Sequence, residues 1–343
     1  MAAFGTADQV TGQGQTANLP NFVGELFKLS PLETTFLSLI GGLTGGMAQN
    51  HPVETWQDTL HREPAIQTNA EGADASFDSQ KRQERRNVST IHQYGVELTY
   101  TKQAATGLTG LGAWAAAAPP TAVSGVESAG ILGTQPVQSE MAWQLQIKIE
   151  QAALDVEILF LEGVFAYANT GDDRQTDGIV TSVSADTTTD YVLVALQTAD
   201  RSVINDLSKK LYDNGAPMRN CVLMVNSQSK LDLGDSYAIE GSGGWNVQPR
   251  SYSVFGVNVT DLETEFGRYP VVLNRHLDVN TVLIVDLDVC SPFFMPIPGK
   301  GHFFLEPLAK LGSYDRAQLY GEIGLKYGPS GWHAKAINLN EVI

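Results

Sequence analysis

The sequence predicts an α+β fold, and three observations carry that expectation. From Pro136 to Ala168 apolar residues recur at three- and four-residue steps, the period of a long helix. From Val88 to Ala104 they alternate instead: Val88, Thr90, His92, Tyr94, Val96, Leu98 and Tyr100 fall on one face, as a strand requires. Residues 174–298 then interleave short apolar runs with an amphipathic helix, which reads as a separate α/β unit. At 343 residues and 37.0 kDa the chain exceeds the size at which one core keeps growing, so at least two domains are expected.

The first 50 residues hold four charged side chains, Asp8, Glu25, Lys28 and Glu33, among many Gly, Thr and Gln, and read as neither a solvated tail nor a domain. Within them Ser30-Pro31-Leu32-Glu33 has the pattern of a helix start, with Ser30 as cap, Pro31 in the first turn and Glu33 reaching back. That helix is expected to stop at Gly41-Gly42. Phe22, Leu26, Phe27, Phe36, Leu37 and Ile40 then need a partner surface, either on the same chain or on a neighbour.

From Pro64 to Arg86 apolar content collapses to Ile66, Phe77 and a few alanines, and the run ends in Asp78, Lys81, Arg82, Glu84, Arg85 and Arg86, so no core forms here. Residues 107–135, rich in Gly, Ala, Pro and Ser, read as a flexible excursion. The helix over 136–168 buries Val137, Met141, Leu145, Ala152, Val156 and Phe160 and ends at Asn169-Thr170-Gly171, giving a rod of roughly 50 Å. Its opposite face carries Gln146, Glu150, Asp155 and Glu157, either solvated or facing another subunit.

In the α/β unit, Ile179–Val183 and Tyr191–Val194 suggest strands, the second open to a helical reading. Asp200–Tyr212 is an amphipathic helix stopped by Asn214-Gly215. Val222–Val225 is a buried strand followed by a helical turn opened by Ser227, and Gly241–Gly244 is a loop tip. Val254–Val259, Pro270–Leu273 and Val282–Val285 complete the strands, after which His302–Asn338 returns to the sheet begun by residues 88–104.

Composition narrows function. The formal charge of −16 opposes tight binding of phosphates, which depends on Lys and Arg displacing counterions. Composition by itself favours ordinary solubility as the reason for this charge; an acidic inner wall that keeps an enclosed polymer from adhering is a reading it permits. Cys221 and Cys290 are expected to be reduced and buried. A secretory signal is not expected, and the stretch Phe36–Met47 is too short and Gly-rich to span a bilayer. Catalytic, cofactor and metal sites are all expected to be absent. Asp286-Leu287-Asp288 reads as a strand-end turn, Pro298-Gly299-Lys300-Gly301 lacks the phosphate-loop pattern, and Gly241-Ser242-Gly243 lacks the spacing of a nucleophile elbow.

Several short motifs in a fixed order add a resemblance. Leu273-Asn274-Arg275-His276-Leu277 precedes Thr281-Val282-Leu283-Ile284-Val285-Asp286-Leu287-Asp288, and then Leu308-Ala309-Lys310-Leu311-Gly312-Ser313. Upstream, Thr55-Trp56-Gln57-Asp58-Thr59-Leu60 is followed by Glu71-Gly72 and Arg85-Arg86-Asn87. This progression resembles the major capsid proteins of tailed double-stranded-DNA bacteriophages, which have the Hong Kong 97-like fold. The chain departs from the pattern at Gly312-Ser313, at Tyr320-Gly321-Glu322-Ile323-Gly324-Leu325, and in the long 107–135 segment, for which the resemblance adds a decoration-protein platform or a symmetry-axis contact as alternatives to a flexible excursion.

The resemblance implies an N-terminal arm (1–55), an extended loop (56–87), a peripheral domain (88–173) with its spine helix over 136–168, an axial domain (174–298), and a second peripheral segment with the C-terminus (299–343). It implies a structural protein that self-assembles as hexamers and pentamers into an icosahedral shell enclosing packaged double-stranded DNA. An encapsulin-like protein compartment of the same fold is the alternative. Arg82, Arg85 and Arg86 of the finger, Glu150, Asp155 and Glu157 of the spine, and Phe22, Phe27 and Phe36 of the arm become candidate intersubunit contacts. Partners would be copies of the chain, with decoration or cement, scaffold and portal proteins as further candidates; a scaffold is expected to be a separate polypeptide. No sequence-specific nucleic-acid binding, membrane association or Lys81 cross-link is expected, and the location is the virion after assembly in a host bacterial cytoplasm.

Overall fold

The computed structural model describes residues 31–59, 64–66, 68–74, 79–100, 140–167, 173–184, 187–190, 198–240, 260–309 and 312–339. The chain divides into two units, residues 1–31, 95–147 and 307–317, and residues 32–94, 148–306 and 318–343. In the first, Arg316 reaches Glu97 Oε2 through both Nε and Nη2 at 2.9 Å, and its guanidinium stacks over Tyr314.

The second unit is built on a six-stranded sheet ordered β5-β13-β9-β6-β8-β7, with β5 Thr188–Asp190, β6 Cys221–Val225, β7 Asp261–Thr264, β8 Gly267–Leu273, β9 Val282–Asp286 and β13 Ala334–Ile337. The runs at β6 and β9 are continuously apolar because the sheet is covered on both faces. Cys221, Leu223 and Val225 face α4 (Arg201–Asp213), which buries Val203, Ile204, Leu207 and Leu211. Val222 and Met224 face the other way, onto Val156 and Phe160 of α2 (Glu140–Glu162) and Phe36 and Leu37 of α1 (Thr35–Ile40). Asp200 caps α4 by accepting from the Val203 amide at 3.0 Å, and Asn214 ends it, as the sequence suggests. A fifth helix, α5, spans Ser227–Glu240, longer than the single turn expected.

A second sheet runs β1-β10-β12-β11, with β4 also paired to β12; these strands are Met47–Ala48, Ser291–Phe294, Tyr314–Lys326, Phe304–Leu308 and, for β4, Thr90–Thr99. Its close packing depends on Gly324, where a Cβ would overlap the Phe293 ring and lie 2.9 Å from the Val88 carbonyl oxygen. A third, two-stranded sheet pairs β2 (Val53–Thr59) with β3 (Arg82–Val88).

Several local expectations are corrected. Ile179–Ser182 is a short helix, α3, not a strand. Helix α2 ends at Glu162, about 35 Å of rod over its described span, not at Ala168. Gly163 lies so close to the Thr176 and Leu159 carbonyls that no side chain fits, and the chain turns there to bridge Ala166 to Gln175. Helix α1 starts at Thr35, not after Ser30, and Thr34 offers it no side-chain cap. The segment 302–338 divides: β11 and β12 lie with β4, whereas β13 crosses to pair with β9 and β5. Tyr191–Val194, Gly241–Gly244, Val254–Val259 and the whole 107–135 segment lie outside the described residues, as do Phe22 and Phe27.

Candidate functional site

Two constructions stand out: an anchor that holds the chain around α1, and the hairpin of β2 and β3.

The anchor centres on Glu157. The sequence places this carboxylate on the outer side of α2, yet the structure buries it completely. Its Oε1 accepts the Phe36 amide at 2.8 Å and the Asn274 side-chain amide at 2.7 Å, while Oε2 accepts the Leu37 amide at 2.6 Å. These two backbone amides belong to the first turn of α1 and have no intrahelical acceptor, so a carboxylate from a distant helix performs the capping that Thr34 does not. Asn274 is held in turn by accepting the His276 amide at 2.9 Å. Arg275 pairs with Glu33 at 2.8 Å, His276 Nε2 hydrogen-bonds the Glu33 carbonyl at 3.2 Å, and Thr35 donates to the Leu273 carbonyl at 3.3 Å. Arg275 keeps the Glu33 carboxyl below the usual carboxylate range. The motif Leu273-Asn274-Arg275-His276 is therefore a clamp on residues 33–37. Phe36 and Glu157, expected to meet a neighbour, are instead committed inside the chain, because capping and core burial occupy both.

The hairpin pairs Val53 with Val88 at its base and Thr59 with Arg82 at its outer end. Its base is fastened by Asn87, which is fully buried and makes four hydrogen bonds. Nδ2 donates to the Leu325 carbonyl at 2.6 Å and the Asp177 carbonyl at 3.1 Å, and Oδ1 accepts the amides of Val88 at 2.9 Å and Asp177 at 2.8 Å. Trp56 adds a second fastening: its Nε1–H donates to the Gly328 carbonyl at 3.0 Å, and its ring meets Tyr327 edge-on at 5.1 Å. Arg85, opposite Trp56, pairs with Asp58 across the hairpin, and Arg86 stacks over Phe165 at 5.8 Å. Arg85, expected to reach a neighbour, is thus engaged within its own hairpin. Arg82 is exposed and donates to Gln57 Oε1 at 3.3 Å. Beyond the strands Ile66 is 96% exposed.

A third feature lies between β4 and α2. Asp155 Oδ2 accepts the Tyr94 hydroxyl at 2.7 Å, and burial with this carboxylate pushes the Tyr94 phenol up. His92 faces inward as the alternation predicts, and burial lowers it from 6.5 to about 4. Glu150 of the same helix is half-buried. Nearby, Glu322 gathers Arg174 at 3.0 Å and the Tyr320 hydroxyl at 2.6 Å.

Asn87, Asn274 and Glu322 carry roles that sequence reading did not assign, although each sits in a quoted motif. A buried polar residue amid an apolar or basic run is the signal that could have found them. Cys221 and Cys290 are both reduced and buried, and burial pushes the Cys221 thiol up to about 12. Among the described residues no cluster of His, Cys, Asp and Glu is arranged to hold a metal ion. None of the described helices is long and apolar enough to cross a membrane.

The structure is similar to solved capsid shells. Cyanophage A-1(L) capsid matches with a TM-score of 0.64 at 10% identity, covering 95% of this chain and 98% of that one. Cyanophage P-SCSP1u capsid matches with a TM-score of 0.60 at 10% identity, covering 98% and 99%. The holo-SrpI encapsulin complex from Synechococcus elongatus PCC 7942 follows at 0.53 and 11%, covering 98% and 96%. These likenesses establish a Hong Kong 97-like fold of mixed helix and strand. No functionally curated protein matches the sequence. The family model described as SU10 major capsid protein matches residues 9–340, and with nearly the whole chain covered this protein belongs to that family and is a subunit of a capsid shell.

Proposed function

We propose that copies of this chain close as hexamers and pentamers into an icosahedral shell around packaged double-stranded DNA, assembled in a host bacterial cytoplasm. The observation that carries this reading is the family match over residues 9–340, which spans the anchor and the hairpin together. Closed shells form when heterologous contacts return on themselves by symmetry, and each subunit then touches several neighbours at once. The hairpin, fastened through Asn87 and Trp56 and carrying exposed Arg82 and Ile66, is suited to lie across such a neighbour. In this reading Phe22 and Phe27 of the N-terminal arm, residues 1–55, meet neighbouring copies, as does Glu150. Decoration, scaffold and portal proteins complete the particle as separate polypeptides.

The encapsulin-like compartment is the second reading, favoured by the likeness to the holo-SrpI complex. Expressing the chain with its genomic neighbours and imaging purified particles separates the two. Nuclease-protected DNA inside angular shells supports the capsid reading, and particles filled with protein and free of DNA support the compartment. A protein that stays a small oligomer under all assembly conditions overturns both.

A further inference from the structure

Between α1 and β1 the chain runs through Gly41-Gly42-Leu43-Thr44-Gly45-Gly46, four glycines in six residues. Gly41, Gly42 and Gly46 have φ of 124°, 74° and 107°, and a Cβ on Gly45 would overlap the Gly41 carbonyl. The loop is therefore tight, yet built of residues that reopen at little steric cost. Among the described residues one side chain holds it: His302 Nε2 bonds the Leu43 carbonyl oxygen at 3.0 Å. A carbonyl only accepts, so the imidazole proton sits on Nε2 and Nδ1 is bare. Nδ1 is buried and has no partner among the described residues. The ring stacks on Phe294 at 4.4 Å and meets Phe303 edge-on at 4.6 Å. A second N–H on this ring would be buried against aromatic carbon without an acceptor.

The holding residue is itself on strained backbone. Phe303 has φ 46°, a region that bulky residues rarely occupy, and its ring fills the place where Gly321 lacks a Cβ. The surrounding carboxylates are spent elsewhere. The loop 41–46 and β10 carry no ionisable side chain. Lys300 of the same turn pairs with Glu306, and Glu322 of β12 is engaged by Arg174 and Tyr320. From β4 the facing group is His92, 6.4 Å from Phe303, and Asp155 of α2 serves His92 and Tyr94. Burial holds His302 below its ordinary 6.5, and a charged His302 would further repel a charged His92. We propose that the loop 41–46 is a hinge pinned by the neutral His302 ring, and that a second proton withdraws the pin, freeing β1 from β10 while Glu157 still clamps α1.

The pinned ring resists the proton and the released ring takes it at the ordinary value, so the pin is complete above about pH 6.5 and weakens below. A ring kept neutral while pinned makes opening up to about 30-fold easier at pH 5 than at pH 7. Amide hydrogen exchange of the full chain at the two pH values, expressed as protection so that the intrinsic rate cancels, reads this. Protection of residues 47–49 falls about tenfold or more in the natural chain. His302→Gln, whose amide still donates to Leu43 but takes no proton, keeps the protection seen at pH 7 and abolishes the fall. The proposal is overturned if residues 47–49 lose no protection, or lose it equally in both chains. If glutamine fails to hold the loop, the natural chain alone decides. A fall at residues 47–49 that exceeds the fall in β6 supports the pin, and one no greater than that in β6 reflects the whole fold and overturns it.

Discussion

Removing the Glu157 carboxylate should free the anchor while leaving the rest of the subunit standing. Glu157→Ala leaves three donors, the amides of Phe36 and Leu37 and the Asn274 side chain, buried without acceptors. Each such group costs about 1–3 kcal/mol. The chain can limit that cost by undocking α1, which exposes Phe36 and Leu37 at about 1.5–3 kcal/mol each. The cheaper of these outcomes sets the expected loss at about 3–5 kcal/mol. Glu157→Gln is intermediate, since its amide turns one acceptor into a donor facing a backbone N–H. Amide hydrogen exchange on assembled particles reads the effect directly. Opening that becomes easier by about 3 kcal/mol speeds exchange of residues 35–40 on the order of 100-fold. Amides in β6 and β9 should keep their protection. Exchange of residues 35–40 within twofold of the natural sequence in Glu157→Ala would refute the cap.

His333 makes the subunit acid-sensitive. Its Nε2–H donates to the Tyr327 carbonyl at 2.6 Å and Nδ1 accepts the Asp286 amide at 3.3 Å, so a second proton would face a donor. Burial lowers its value from 6.5 to about 4, hence the unfolded chain takes the proton first. Stability is complete above about pH 6.5 and declines by about 3 kcal/mol as pH falls to about 4. The stability difference between the natural protein and His333→Gln, from unfolding at pH 7 and pH 4, should shrink by that amount, and a pH-independent difference would contradict the assignment. Asn87→Ala strips the four hydrogen bonds at the hairpin base and should cost about 3 kcal/mol, with faster proteolysis around residues 53–88 as the visible sign. Gly324→Ala drives a methyl into the Phe293 ring and should lower stability by about 1–3 kcal/mol; an unchanged unfolding midpoint would mean that the ring moves freely.

What the sequence determined by itself is local. Period and punctuation placed α4 between Asp200 and Asn214, the alternation of β4 with His92 inward, and the apolar runs of β6 and β9, because those signals act within a few residues. The order of motifs pointed to the fold because each motif marks a junction: Trp56 and Asn87 at the hairpin base, Asn274 and Arg275 at the clamp. What only the tertiary structure decided is which polar residues are spent inside the chain. Glu157 looks like a solvent carboxylate until a helix start 120 residues away arrives to be capped by it. Arg85 looks available until the pairing of β2 with β3 sets Asp58 beside it. Position 163, just past α2, has no room for a side chain because of a carbonyl from Thr176, which no helical pattern contains. Likewise β13 leaves its sequence neighbours for the other sheet, since strand pairing is settled by the partners that folding brings alongside.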